Sequence, residues 1–343
     1  MNVIRRSLLV LGSVIIALVL IELFLRAINY NYYPMHIQVL ATSPYGDDPN
    51  LKNDWRFYHM FEDQAFEYDP YLIWRPNPAY TIKENGKSIK FFNPLGFPGH
   101  EIPETNKDNT YRIAAIGDSN TLGMRDYDRV TGREVSWPGY LEYILGVHYQ
   151  VINAGAWGYS SYQSYHRFLS VLPYKPSMIL FGPSGNDGHE VTISDEQYSF
   201  IQIEKIQLLL HTRIARLLQS IIDKHVFARK SAKNYPLVPR VSLTEYAKIL
   251  SDIIREARAN HIHLVFLTRP YLDDHTTQFN AKSYNKLTQE VALQQSIPLI
   301  DIEGHFATTS ALFNDPTHLN PEGLHQMAQY IIMNLQQMSL LPH

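Results

Sequence analysis

IAAIGDSNTLGMR, from Ile113 to Arg125, decides how the rest of the chain is read. The apolar, partly β-branched run Ile113–Ile116 goes straight into Gly117-Asp118-Ser119, and there the hydrophobic pattern stops. A short, uniformly apolar run closed by a glycine is what a strand covered on both faces leaves in a sequence. In an open parallel sheet, the residues just past such a strand lie at the carboxyl edge, where ligands bind. One serine in that place proves nothing alone. Its meaning depends on the residues at the ends of the other strands.

Four more short apolar runs qualify as strands beside YRIAAIG: YQVINA, SMILFG, IHLVFLT and IPLIDI. Helical patterns separate them. Tyr246, Ile249, Leu250, Ile253, Ile254 and Ala257 share one helix face, and Leu324, Met327, Ala328, Ile331, Ile332 and Leu335 share another. Asn320 and Pro321 suit the N-cap and first position of that second helix. Strands alternating with helices across long connections predict an α/β fold, a parallel sheet with helices on both faces.

The polar residues directly after each strand then make a set. Gly117-Asp118-Ser119 comes after the first; Asn153, Gly155 and Gly158 after the second; Asn186 and Asp187 after the third; Asp315 and His318 soon after the last. A serine hydroxyl is a weak nucleophile until an imidazole takes its proton, and the imidazole needs a carboxylate to fix its tautomer. The expected roles are Ser119 as nucleophile, His318 as general base and then acid, and Asp315 as the group that orients it. A developing oxyanion needs donors already aimed at it. The candidates are the backbone N–H groups of Ser119 and Gly158 and the side-chain amide of Asn186. A glycine at 158 allows close approach to the backbone. Asp118 and Asp187 read as structural, bonding nearby backbone. Arg240, just ahead of a helix, is open to two readings, reach toward an anionic substrate or a surface role.

The four blocks resemble the SGNH (GDSL-type) hydrolase family, named for the serine, glycine, asparagine and histidine that they carry. The resemblance runs from about Tyr111 to the C-terminus. It implies a five-stranded parallel sheet in a three-layer α/β/α sandwich of the SGNH-hydrolase, flavodoxin-like kind. It also implies Ser119 as nucleophile, Gly158 and Asn186 completing the oxyanion hole, and Asp315 and His318 as the D-x-x-H block. Asn120 stands where the GDSL name has leucine, and Ser184-Gly185-Asn186-Asp187 carries its glycine one place later than the usual G-x-N-D. The stretches NPLGFPG (93–99) and ELFLR (22–26) are similar to bacterial membrane-anchored members of the family.

At the N-terminus, Arg5 and Arg6 precede the apolar run Ser7–Leu25, broken only by Glu22. A spanning helix needs about 20 such residues, whereas a signal peptide's apolar region is about 7–15 and ends in a small-residue cleavage site. No such site is evident, so an uncleaved anchor over residues 1–28, with the helix at about 7–25, is the expectation. The two arginines would keep its start in the cytoplasm and place the catalytic domain outside, in the periplasm or at the cell surface. Residues 29–110 are rich in Tyr, Asn and Pro and read as an irregular extension packed on the main domain, with a hairpin turning at Asn85-Gly86. The catalytic domain would occupy 111–343, with a helical insertion at about 189–241. In it, Ile206, Leu210, Ile214, Leu217 and Ile221 fall at helical spacing before the basic residues Lys224, Arg229, Lys230 and Lys233.

Composition narrows the partners. The 343-residue chain is 45% apolar and 18% charged, enough for a real core. A net charge of −3 argues against nucleic acid. With no cysteine, thiolate metal sites and disulfides are excluded, and no motif asks for a cofactor or metal. The expected activity is hydrolysis of an acyl ester, an acetyl ester of an extracytoplasmic carbohydrate being favoured. Two alternatives stand beside it. One is an O-acyltransferase that modifies a cell-surface glycan by the same chemistry; the other is a non-catalytic envelope scaffold, against which the presence of both Ser119 and His318 argues.

Overall fold

The computed structural model describes residues 2–28, 30, 65–69, 72–84, 86–99, 102–104, 106, 110–124, 126–182, 185–191, 194–198, 212–218, 220–221, 238–272 and 280–342. Asn85, Arg125, Ser184, Ile206, Leu210 and the basic residues from Lys224 to Lys233 lie outside them, as do residues 31–64.

Helix α1 (Asn2–Ala27) contains a 23-residue stretch, Arg5–Ala27, of mean hydropathy 2.9, long and apolar enough to cross a membrane. Its apolar side chains, Leu8 through Phe24, are mostly exposed, as an isolated apolar helix requires. The one acid in the run is satisfied. Glu22 pairs with Arg26 at 2.8 Å, and its carboxylate accepts the N–H groups of Arg213 and Ile214 at 3.1 and 3.0 Å. Those two residues open the helical segment that resumes at 213–218, so a carboxylate covers donors that a helix start leaves unpaired.

Two antiparallel hairpins precede the main sheet: β1 (Phe66–Asp69) with β2 (Ile73–Pro76), and β3 (Thr81–Glu84) with β4 (Lys87–Lys90). The second is the one read from the sequence, with Gly86 at φ +77° in its turn. The first adds strand structure to a stretch whose aromatic and proline content gave no clear period. Phe66, Trp74, Phe91 and Phe92 form one buried cluster with Leu122, Ala156, Trp157 and Tyr159 of the following chain.

The main sheet has five parallel strands: β5 (Tyr111–Gly117), β6 (Tyr149–Asn153), β7 (Met178–Gly182), β10 (His263–Leu267) and β11 (Leu299–Ile300). Their spatial order is β11-β10-β7-β5-β6, the flavodoxin-like winding. Alternation along each strand feeds two cores. Ala114, Ile116, Ile152, Ile179, Phe181 and Phe266 face one side, under helices α4 (Ser161–Val171), α5 (Leu243–Ala259) and α6 (Ala281–Gln295). Ile113, Ala115, Val151, Met178, Leu180 and Val265 face the other, under α3 (Trp137–Leu145) and α8 (Pro321–Gln337). Each fully buried aliphatic or aromatic side chain contributes about 1.5–3 kcal/mol, so the two layers dominate the stability.

The helix ends obey their sequence signals. Ser242 and Glu245 close a capping box at α5, at 3.2 and 2.7 Å, and the Asn320 side chain caps α8 on Gly323 N at 2.9 Å. The last strand is shorter than IPLIDI suggests. Asp301 leaves the ladder to cap α7 (Ile302–Phe306), accepting from Gly304 N at 3.2 Å, and the strand stops at Ile300. A small antiparallel pair, β8 (Glu190–Val191) with β9 (Val238–Pro239), brings those two segments together.

Candidate active site

Strands β5 and β7 flank the point where the winding reverses, and their carboxyl ends carry Ser119 and Asn186. Gly117 ends β5 where a side chain has no room: a Cβ there would lie 2.3 Å from Thr121 Oγ1 and 2.9 Å from the Gly182 carbonyl. The backbone then turns into the one-turn helix α2 (Ser119–Leu122), whose N-cap Asp118 accepts Asn120 N at 2.8 Å. Asp118 also pairs with Arg269 Nε at 2.8 Å, both side chains buried. Its structural reading thus extends beyond local backbone to a strand-end arginine after β10. Gly185 makes that pair possible, since a Cβ there would sit 2.1 Å from Arg269 Nε and 2.3 Å from Asp118 Oδ2.

His318 and Asp315 face each other across a two-strand turn, β12 (Phe313–Asp315) and β13 (His318–Leu319). The three-residue spacing closes everything on one carboxylate. Asp315 Oδ1 accepts the N–H groups of Thr317 and His318, both at 2.9 Å, and the Thr317 hydroxyl at 3.1 Å. The His318 Nδ1 lies 2.9 and 2.8 Å from the two Asp315 oxygens. Its other nitrogen, Nε2, lies 2.8 Å from Ser119 Oγ. With the carboxylate taking the Nδ1 proton, Nε2 presents its lone pair to the serine hydroxyl. Asn120 joins the two halves: its Nδ2 donates to the Thr317 carbonyl at 2.8 Å.

The loop after β6 packs on the same turn. Ala154 N donates to Ala115 O at 2.8 Å, Ala156 N to Gly117 O at 3.2 Å, and a Cβ on Gly155 would lie 2.3 Å from Leu122 N. Asn153 stays behind this loop, its Nδ2 reaching the Leu122 carbonyl at 3.2 Å and its Oδ1 accepting Gly155 N at 3.1 Å. Gly158 sits at φ +72°, a conformation that suits glycine. The Asn186 amide donates one N–H to Tyr159 O at 2.9 Å, which leaves its second N–H for a ligand. Among the described residues, the N–H groups of Ser119 and Gly158 make no hydrogen bond within the chain.

Burial sets the charges around this core. Asp187 receives the N–H and hydroxyl of Ser161, yet loss of water pushes its carboxyl up to about 7. Glu134, under the loop with Asn153 and Ser136, is likewise pushed up to about 7, chiefly by burial. His189 is pushed down to about 3 by burial and then by Arg240 and Arg269, and so stays neutral.

Arg240 is wholly buried, which removes the surface reading. Its guanidinium holds Asp195 with Nη2 at 2.7 Å, the Gly158 carbonyl at 2.7 Å and Gln163 Oε1 at 2.8 Å. Asp195 in turn accepts the Ser160 hydroxyl at 2.7 Å. Asp195 and Trp74 escape sequence reasoning, since each acts by contact with residues far along the chain. Arg269 instead lies just after β10, where the strand-end criterion applied to the fourth strand would have found it. His261, just ahead of β10, and His263, its first residue, are both exposed. Among the described residues no cluster of acids and histidines could hold a metal.

The fold is an α/β/α sandwich that brings a serine, a histidine and an aspartate into hydrogen-bond contact at one edge of its sheet. Residues 115–325, more than half of the chain, match the GDSL-like Lipase/Acylhydrolase family, and the chain belongs to that family. Its chemistry is accordingly acyl-ester hydrolysis. Similar solved structures include a putative lipolytic protein of the G-D-S-L family from Desulfitobacterium hafniense, at 18% identity over 66% of this chain and 100% of that one, TM-score 0.42. A lipase/acylhydrolase from Enterococcus faecalis aligns at 18% identity over 67% and 97%, TM-score 0.44. A catalytic mutant of an acetylxylan esterase from Geobacillus stearothermophilus aligns at 16% identity over 66% and 94%, TM-score 0.43. No curated protein matches the chain.

Proposed function

We propose that the chain is a serine-dependent esterase in which Ser119, His318 and Asp315 carry the chemistry. Ser119 Oγ attacks the acyl carbon while His318 Nε2 takes its proton, and Asp315 stabilises the imidazolium that forms. The carbonyl oxygen gains the charge and is met by the N–H groups of Ser119 and Gly158 and by the free N–H of Asn186. Collapse of the tetrahedral adduct expels the alkoxide, which receives the proton from Nε2, and leaves an acyl-serine. Water, deprotonated by the same nitrogen, attacks the acyl carbon; the carboxylic acid departs, the proton returns to Oγ and the serine is regenerated.

One observation carries the reading: Ser119 Oγ, both His318 ring nitrogens and the Asp315 carboxylate form a continuous line at 2.8 Å per step. The His318 side chain is 27% exposed, so bulk water can reach the base, which favours hydrolysis over transfer to a second alcohol. The substrate we favour is an acetyl ester of an extracytoplasmic carbohydrate. We further assign α1 as a membrane anchor, with Arg5 and Arg6 on the cytoplasmic side and the esterase outside. This rests on the length of the exposed apolar helix and on the charges at its start.

The test is turnover of p-nitrophenyl acetate and labelling by a fluorophosphonate, using the full chain in detergent. Ser119→Ala is expected to abolish labelling and lower kcat by about 10⁴-fold or more, and His318→Ala to lower kcat comparably. Undiminished turnover in Ser119→Ala would refute the assignment.

A further inference from the structure

We infer that Trp74, in the hairpin ahead of the sheet, is a positioning residue for the oxyanion hole, because its indole N–H fixes the peptide that carries the Gly158 N–H. The inference rests on the proposed roles of Ser119, Gly158 and Asn186. Trp74 Nε1 donates to the Trp157 carbonyl at 3.0 Å. That carbonyl and the Gly158 N–H are the two ends of one peptide group. The described residues contain no cis peptide bond, so the two ends point in opposite directions. An indole holding the oxygen on one side therefore turns the N–H to the other, where it has no partner among the described residues.

Something must do this work. Gly158, at φ +72°, has little steric preference to hold the preceding peptide plane, and a glycine turn can rotate that plane cheaply. The surrounding contacts supply what glycine lacks. Three successive carbonyls are gripped by three buried side chains: Trp157 O by Trp74, Gly158 O by Arg240 at 2.7 Å, and Tyr159 O by Asn186 at 2.9 Å. Only the first of these carbonyls shares its peptide group with the Gly158 N–H. Trp74 is itself clasped from below, since the Tyr159 hydroxyl donates to the Trp74 carbonyl at 2.9 Å. Its ring packs edge-on to Tyr159 at 5.7 Å and lies 5.4 Å from the Arg240 guanidinium.

The side-chain type fits the task. An indole N–H donates and cannot accept, so it cannot satisfy the opposite orientation of the peptide. A donor on the carbonyl also polarises the amide, strengthening its N–H by roughly 10–30%. On this view the extension is part of the active site without touching substrate.

The experiment compares kcat, KM and inhibition by phenylboronic acid, a tetrahedral mimic, in the full chain. Trp74→Phe keeps an aromatic ring and removes the N–H; replacing the indole by an isosteric benzothiophene side chain removes the N–H and keeps the shape. Both are expected to lower kcat about 10- to 100-fold with KM within a few-fold, and to weaken the boronic acid by a similar factor. Phe92→Leu, which loosens the same cluster while keeping the indole N–H of Trp74, is expected to hold kcat within a few-fold. Unchanged kcat and boronic-acid affinity in the benzothiophene protein would overturn the inference, even if Trp74→Phe fails to fold. Equal losses in Phe92→Leu would overturn it too, as general loosening. If those changes leave kcat alone while Ser119→Ala still abolishes it, the esterase reading stands and only the role of Trp74 falls.

Discussion

The two sides of Ser119 are built in opposite ways. Toward His318 the parts are neighbours in sequence: Asp315, Thr317 and His318 close a hairpin on one carboxylate, and the histidine and aspartate side chains stay 27% and 17% exposed. Toward Gly158 the parts are strangers in sequence and buried, with Trp74, Asn186 and Arg240 converging on three consecutive carbonyls. A local hairpin can hold a histidine through short-range geometry while leaving room for substrate and water. A glycine loop has no such internal guide, and its shape has to be imposed by the surrounding fold. The first side should therefore be robust to changes elsewhere, and the second sensitive to them.

The largest effect expected from this difference concerns Arg240. Arg240→Met leaves Asp195 as a buried carboxylate without its ion pair and frees the Gly158 carbonyl, a change expected to cost about 3–5 kcal/mol of unfolding free energy. Adding Asp195→Leu should recover part of that loss only, because the Gly158 carbonyl and the Ser160 hydroxyl lose their partners as well. Denaturant unfolding of the full chain in detergent measures both. A loss below about 1 kcal/mol, the usual range of an exposed ion pair, would make the two sides energetically alike and break the contrast.

The same contrast explains what the sequence could and could not reveal. Strand period, the glycine that ends β5, the D-x-x-H spacing and the Asn320–Pro321 helix start are all signals within a few residues, and the elements and the serine, histidine and aspartate positions could be read from them. Trp74 could not. Its neighbours Ile73, Arg75 and Pro76 carry no clear strand period, and its contact lies more than eighty residues away. Arg240 sits on no apolar face and comes after no strand of the main sheet, so only the fold distinguishes a buried clamp from a surface charge. Asn120 is intermediate. It is visible as a departure from the leucine of the family name, but its bond to the Thr317 carbonyl appears only once residues far apart in the chain have met.

A smaller effect should separate the donors within the second side. Asn186→Ala removes an amide that both holds Tyr159 O and offers its second N–H to the oxyanion. Loss of one such donor costs about 2.7–4 kcal/mol of transition-state stabilisation, a fall of about 10²–10³ in kcat. KM should change little, because the charge it meets is absent from the bound ester. Steady-state kinetics with p-nitrophenyl acetate decides the point. A rise in KM with kcat preserved would place Asn186 in substrate binding and remove it from the oxyanion hole.

The smallest effect tests burial itself, through pH. Glu134 lies under the loop that carries Gly155, near Asn153 Nδ2 at 3.3 Å, and burial pushes its carboxyl up to about 7 from a value of 4.5. Between those values the folded chain keeps a proton that the unfolded chain has released. Its contribution is fully present below about pH 4.5, is lost as pH rises toward about 7, and is level above that. Glu134→Gln cannot ionise and so lacks this slope. The unfolding free energy of the native chain minus that of the variant should fall by about 2 kcal/mol between pH 5 and pH 7. Asp187, also near 7, is present in both chains and cancels in the difference. Parallel curves would mean that water reaches Glu134 from beneath the loop. The second side would then owe its shape to its hydrogen bonds alone, and the case for a dry, imposed geometry around Gly158 would rest on Trp74 and Arg240.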